Sequence, residues 1–299
     1  MDKIFKSLVD QVGYYLVKNN LKAMVLGISG GIDSTIVSAI CSEVEKNTGI
    51  PFYGFSLPIK NKNDEFSTSD LVGKAFCKED RFDVVNFLEV YNFCSHGFNE
   101  AKNNLGIGKT LISEGNIQAR LRMMFLYDVA SNLGGIVFST DNQTEYNLGF
   151  WTLHGDVGDI NPMFGLWKTE VYKLAEYLVE YYKDSENKRE ALKQSIGLTP
   201  TDGLGISNSD LEQIGARSYD EVDDILKKVL RWKSAYRDHL PENKDEFIEF
   251  FLKSHPELDQ EVAKKVVMRH LCSEFKRGTL PVQVIPSYWK DPVNYFFPK

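Results

Sequence analysis

The sequence predicts an α/β fold: a doubly wound parallel sheet with helices on both faces and a helical C-terminal part. Three observations carry that reading. Short, continuous apolar runs alternate with helix-period segments through the first half of the 299 residues. The first of these runs breaks into Ser29-Gly30-Gly31-Ile32-Asp33-Ser34, a strand-to-helix turn. The second half then reads as mostly helical. Continuously apolar strands separated by helices imply a parallel sheet covered on both faces, wound by right-handed crossovers.

An amphipathic helix opens the chain, with Ile4, Leu8, Val9, Val12 and Leu16 on one stripe. Strand-like runs follow at Met24–Ile28, Phe52–Leu57, Phe82–Phe87 and Gly135–Ser139. Between them lie helical patterns at Asp33–Lys46, Asp64–Cys77, Leu88–Asn104 and Asn116–Leu133, the last with Ile117, Leu121, Met124, Phe125 and Val129 at helical spacing. The second half gives helices at Lys168–Tyr182, Ser209–Ile214, Tyr219–Ser234, Lys244–Lys253 and Gln260–Phe275. Ser195–Asn208, rich in Gly, Thr, Ser and Asp, reads as a loop. Pro281, Pro286, Pro292 and Pro298 make the last stretch an extended tail. With no repeat, low-complexity segment or obvious linker, residues 1–299 are expected to form a single domain.

Ser29–Ser34 carries the first chemistry. Gly30 and Gly31 permit torsions and a close approach that a Cβ would block. Backbone N–H groups then point at one spot at the positive end of the next helix, where a phosphate is held. Ser29 and Ser34 add hydroxyls, and Asp33 a carboxylate suited to magnesium on the phosphates. The pattern favours ATP over an ordinary Gly-Gly turn. Gly108-Lys109-Thr110 is a decoy, because a Walker A loop needs glycine where Asn103 stands.

Bulk properties narrow the classes. A 42% hydrophobic and 26% charged composition is that of a globular protein, and no apolar run approaches membrane-spanning length. A net charge of −7 argues against a general nucleic-acid binder. Cys41, Cys77, Cys94 and Cys272 form no C-x-x-C pair, and the N-terminus lacks signal-peptide form, so a cytoplasmic protein is expected.

A second constellation closes the fourth run: Ser139-Thr140-Asp141-Asn142-Gln143-Thr144-Glu145, then Gly149-Phe150-Trp151-Thr152 and Gly155-Asp156-Val157-Gly158-Asp159. In open sheets of this kind ligands bind outside the carboxyl ends of the strands. Asp33 and Glu145 would face one crevice as a magnesium-binding pair. Asp141 either joins that crevice or caps the following helix.

The hexapeptide resembles the pyrophosphate loop of the ATP-pyrophosphatases, the adenine nucleotide alpha-hydrolase-like superfamily. The second constellation, with Asp159-Ile160-Asn161-Pro162-Met163 and Leu166-Trp167-Lys168, is similar to the NAD synthetase family. So are Glu114–Arg122 upstream, and Pro200-Thr201-Asp202, Tyr219–Asp224, Phe275-Lys276-Arg277 and Tyr288-Trp289-Lys290 downstream. The resemblance implies strand order 3-2-1-4. It also implies an ammonia-dependent NAD synthetase, in which the nicotinate carboxylate of deamido-NAD is adenylated by ATP and then amidated by ammonia. ATP would rest on Ser29, Gly30, Gly31, Asp33, Ser34, Leu57, Thr140, Lys168 and Thr201, with Mg2+ on Asp33 and Glu145. Lys168, Asp156 and Thr140 would be catalytic: Lys168 on the α-phosphate, Thr140 a hydroxyl donor to phosphate, Asp156 orienting ammonia or taking its proton. Arg120, His154, Asp156 and Lys276 would meet the acyl substrate.

The family also implies a homodimer through residues 3–19 and 116–133, where Met123, Leu126 and Tyr127 serve either the interface or the core. Nothing before the loop exceeds one helix, so ammonia is expected free or from a separate glutaminase subunit. Half of the departures fall around the acyl pocket, where Leu153 replaces the family's lysine and Val157 a glycine; on the adenine side Ser56 stands where the family carries an arginine. Two alternatives follow. One is an ATP-pyrophosphatase that amidates or thiolates another anionic substrate; the other is a non-catalytic adenylate-binding relative.

Overall fold

The apolar runs fold into four parallel strands, β1 (Met24–Gly27), β2 (Phe52–Ser56), β3 (Phe82–Val84) and β4 (Ile136–Val137). The computed structural model describes residues 1–59, 63–200, 209–236 and 240–277, with 63–66 described by backbone alone. The strand order is β3-β2-β1-β4, as the resemblance implied. β1 pairs β2 from Met24 opposite Phe52 to Gly27 opposite Phe55, and pairs β4 with Val25 opposite Val137. The chain therefore winds outward to β3 and returns on the other side of β1, which puts the switch point between β1 and β4.

Helices cover both faces: α1 (Asp2–Lys18), α2 (Ile32–Thr48), α3 (Asn63–Phe76), α4 (Leu88–Asn104), α5 (Leu111–Leu133), α6 (Gln143–Leu148), α7 (Lys168–Tyr181) and α8 (Glu186–Gly197). Side chains alternate along β1. Met24 and Leu26 enter one core with α1, α2, α7 and α8, whereas Val25 enters the opposite core with Leu57, Phe87, Leu121, Met123 and Leu126. Met123 and Leu126 are thus core residues, while Met124 on the same helix is 62% exposed.

The helical part comprises α9 (Asp210–Ile214), α10 (Tyr219–Ala235), α11 (Lys244–Ser254) and α12 (Gln260–Cys272). It has its own apolar core, built on Val222, Ile225, Leu226, Phe251, Val266 and Val267, which also receives Leu148 from α6. That shared leucine ties the helical part to the carboxyl edge of the sheet.

Three expectations are corrected. β4 is only two residues long, because Asp159 N and Ser139 N bond to Val137 O and Ile160 O and draw the returning chain alongside Phe138. α5 begins at Leu111 rather than Asn116, capped by the Thr110 side chain accepting from Ser113 N. The start of the expected loop, Ser195–Gly197, is the last turn of α8, a helix whose buried residues are only Ala191, Leu192 and Ser195. The remainder of that loop (201–208) and the proline-bearing tail lie outside the described residues.

Candidate active site

The Ser29–Ser34 turn is held by its own hydrogen bonds. Gly30 has φ 86°, a conformation open to glycine. Gly31 caps α2 and donates its N–H to Ser29 Oγ at 3.2 Å. Ser34 Oγ lies 3.0 Å from Ser29 Oγ and donates to Gly31 O at 3.0 Å. The small hydroxyl residues thus hold the turn at the positive end of a 17-residue helix.

From that helix Asp33 reaches toward β4's exit. Its Oδ1 accepts from Asn142 Nδ2 at 2.9 Å and its Oδ2 from Lys168 Nζ at 2.5 Å. Lys168, the first residue of α7, also donates to Glu145 Oε1 at 2.9 Å and lies 5.6 Å from the Tyr219 ring centroid. Its side chain is 2% exposed, against 16% for Asp33 and 19% for Glu145. Burial works against the ammonium charge, but attraction to Asp33 and Glu145 outweighs it and holds the Lys168 pKa well above the ordinary value. Burial and the neighbouring Asp33 likewise push the Glu145 pKa upward, to about 7, against the pull of Lys168.

Glu145 is placed by a capping box. Asn142 Oδ1 accepts from Thr144 N and Glu145 N, while Glu145 Oε2 accepts from Asn142 N. Asn142, not Asp141, is the cap, because Asp141 Oδ2 instead accepts from Ser139 Oγ at 2.7 Å. Burial, with Asp156 and Glu145 nearby, raises the Asp141 pKa well above the carboxylate range.

The next segment positions the residues assigned to the acyl substrate. Asp156 Oδ1 accepts from Thr152 N at 2.7 Å; the residue stays exposed on its turn, and partial desolvation by the surrounding chain lifts its pKa to about 6 despite that bond and the nearby Lys276. Lys276 donates to Gly149 O at 2.7 Å and Trp151 O at 2.5 Å. Arg120 Nε and Nη2 donate to Leu153 O at 3.3 and 3.1 Å. His154 has φ 55° and lines a cavity with Arg120, Met123, Met124, Tyr127 and Val157. Lys276 and Arg120 therefore brace the 149–156 turn through its carbonyls as well as carrying charge. Thr140 stands just past β4 at the same sheet edge. Leu57 follows β2, its side chain in the core and its carbonyl accepting from Arg122 Nε at 2.9 Å. Thr201 lies outside the described residues.

Asp33, Glu145 and Lys168 therefore meet in one ion cluster, and Asp156 with Lys276 forms a second group beside it. Sequence reasoning missed Asn142, although Asn142-x-x-Glu145 is a capping-box spacing. It also gave no role to Thr144, whose Oγ1 accepts from Lys168 N at 2.8 Å.

Comparison with known proteins agrees with this geometry. The family model for NAD synthase matches residues 4–280. An NH(3)-dependent NAD(+) synthetase of Halalkalibacterium halodurans is 30% identical over 294 residues, covering 92% of this chain and 89% of that protein. Among solved structures, an NMN synthetase from Francisella tularensis superposes with TM-score 0.69 at 23% identity, covering 96% of this chain and 98% of its own. An NH3-dependent NAD synthetase from Campylobacter jejuni superposes with TM-score 0.66 at 21% identity, covering 95% and 99%. At those identities the two structures speak to the fold.

Proposed function

Since the chain belongs to the NAD synthase family, we propose that it is an ammonia-dependent NAD synthetase, converting deamido-NAD, ATP and ammonia to NAD, AMP and pyrophosphate. The observation that carries this is the Lys168 ammonium shared by Asp33 and Glu145 beside the Ser29–Ser34 turn. A carboxylate resists attack by ammonia because its charge repels nucleophiles and oxide is a poor leaving group. Adenylation makes AMP the leaving group. One carboxylate oxygen attacks the α-phosphorus and the bond to the β-phosphate oxygen breaks. Ammonia then attacks the acyl carbon, and AMP leaves with the oxygen it received.

This chain's residues supply charge placement for those steps. The Ser29–Ser34 turn would hold the departing pyrophosphate through its N–H groups and hydroxyls. Lys168 would meet the charge developing on the α-phosphate. Asp156, with a pKa of about 6, is ionised at neutral pH and would take a proton from the attacking ammonia. Arg120, His154 and Lys276 would border the acyl substrate, with Thr140, Leu57 and Thr201 completing the nucleotide site.

Asp33 and Glu145 converge on the Lys168 ammonium, and their hard oxygens are of the kind Mg2+ takes, one or two carboxylates beside phosphate oxygens and water. Asp33 and Glu145 would hold the ion, which when bound neutralises charge on the phosphates. Exposed Tyr14 and Val17 on α1 and Met124 on α5, at 68%, 62% and 62%, support a homodimer through those helices. No helix among the described residues is long and apolar enough to cross a membrane. Cys41, Cys77, Cys94 and Cys272 are all free thiols, which supports a reducing compartment, the cytoplasm. Free ammonia or a separate glutaminase subunit would supply nitrogen.

The test is pyrophosphate release from ATP, Mg2+ and ammonium with and without deamido-NAD, with the product identified chromatographically. Release that requires deamido-NAD and yields NAD is the expected result. Leucine in place of the family's lysine at 153, its carbonyl held by Arg120, favours a second reading in which a different carboxylate is amidated. Turnover with nicotinate mononucleotide but not deamido-NAD would select that reading. ATP binding without pyrophosphate release under any acceptor would mark an adenylate-binding relative.

A further inference from the structure

The helical part of the chain delivers one buried carboxylate to the site. Asp223, on α10, is 1% exposed and flanked by Val222 and Ile225 of the C-terminal core. Oδ1 accepts from the Thr144 hydroxyl, and Oδ2 accepts from Thr169 N at 3.0 Å. Thr144 in turn accepts from Lys168 N at 2.8 Å. One carboxylate thus fastens the first turns of α6 and α7, and each turn carries a member of the ion cluster: Glu145 follows Thr144, and Lys168 precedes Thr169.

The arrangement is more than a helix cap. At α7 Glu170 Oε2 accepts from Trp167 N at 3.0 Å, but the Trp167 side chain has no acceptor to return the bond, whereas α6 has a full capping box in Asn142 and Glu145. Asp223 supplies α7 with the acceptor that Trp167 lacks and at the same time cross-links it to the start of α6, which is capped without it. The Thr144 hydroxyl passes that link to the Lys168 amide. A negative group at the amino end of α7 is also favoured by the helix dipole. Burying a carboxylate costs free energy unless its lone pairs are filled, and two of Asp223's are filled by these two helices.

We infer that Asp223 is a positioning residue for adenylation: through Thr144 and Thr169 it sets where Glu145 and Lys168 stand relative to each other and to the phosphate loop. The inference rests on the reading that Lys168 acts on ATP. A catalytic group displaced by about 1 Å loses rate on the order of 10²-fold, so a loosened pair would lower kcat while leaving nucleotide contacts largely intact.

The experiment measures kcat, KM for ATP and thermal unfolding for D223N, T144V, T144S, the D223N/T144V double variant and K168M. Asn at 223 keeps an acceptor for Thr169 N but can meet the Thr144 hydroxyl only by donating to it, which reverses that bond and removes the negative charge. Positioning predicts about a 10–100-fold loss of kcat in D223N and T144V, with KM for ATP within threefold of wild type and a folded protein at the assay temperature. T144S, which keeps the hydroxyl, stays near wild type, and the double variant is no worse than D223N alone. If D223N fails to fold, T144V against T144S carries the same comparison. Wild-type kcat in D223N and T144V, or a loss that follows the unfolded fraction, overturns the inference. K168M separates the two levels. A dead K168M with an active D223N rejects positioning alone, whereas an active K168M rejects the reading beneath it.

Discussion

Lys168 and Asp33, 135 positions apart in the chain, meet at 2.5 Å between Nζ and Oδ2, and Glu145 holds the same ammonium from the other side at 2.9 Å. α2 brings the aspartate from one side of the switch point, α6 the glutamate and α7 the lysine from the other. A buried ammonium so placed can neutralise charge on an incoming phosphate without reorganising water. K168M is expected to fold, because the carboxylates can take up a proton in place of the lost cation, and to lose about 10²–10³-fold in kcat. Steady-state pyrophosphate release beside a melting curve checks both statements.

Asp156 sets a pH dependence. Its pKa is pushed up to about 6 chiefly by partial desolvation, with the Thr152 amide and Lys276 limiting the rise. As a proton acceptor it must be ionised, so kcat at saturating ammonia is expected to fall as pH drops through about 6. D156N should lose that limb and about 10²-fold or more in rate. A pH–rate profile of the two proteins, corrected for the fraction of ammonia unprotonated, makes the comparison.

Gly158 closes the seam beside β4. A Cβ there would lie 2.7 Å from Phe138 C, Ser139 N and Val137 O, all backbone atoms that cannot step aside like the tip of a side chain. G158A is expected to cost about 1–3 kcal/mol by overpacking, and to lower activity because Asp156 and Thr140 flank the same seam. Urea unfolding of the variant measures the first effect and its turnover the second.

His270 couples stability to acid. It is 2% exposed, its Nδ1 bonds Asn147 O at 3.0 Å, and Nε2 is buried with no hydrogen-bond partner among the described residues. Burial, helped by Arg277, lowers its pKa from 6.5 to about 4. The unfolded chain therefore binds a proton that the folded chain refuses between those values. Stability from this residue is full above about pH 6.5 and declines as pH falls toward 4, by up to about 3 kcal/mol. H270Q, whatever its stability at pH 7, should show a shallower loss over that window in urea titrations.

Much of the sheet and half of the site are legible from local pattern. The run Met24–Ile28 and the Gly30-Gly31 turn specify a buried strand leading into a helix, because both signals lie within ten residues of chain. Asp33 and Glu145 could be paired only through the strand order, which the family resemblance supplied and the β3-β2-β1-β4 sheet bears out. α8 escaped notice because its buried stripe is narrow and the rest of the helix polar, so periodicity is faint. Asp223 was visible as an acid in a helical pattern and within the family-like run Tyr219–Asp224, with no role attached to it. Its meaning comes from a partner 79 residues away, and no local rule reports such a contact.

The most direct test of the central claim follows one oxygen atom. Deamido-NAD labelled with 18O in its nicotinate carboxylate is incubated with the protein, ATP, Mg2+ and ammonium, and the products are weighed by mass spectrometry. Adenylation followed by amidation moves one carboxylate oxygen to the α-phosphate, so AMP gains one 18O while NAD keeps the other and pyrophosphate stays unlabelled. Unlabelled AMP accompanied by pyrophosphate would mean that water, not the carboxylate, attacks ATP, and would contradict the account.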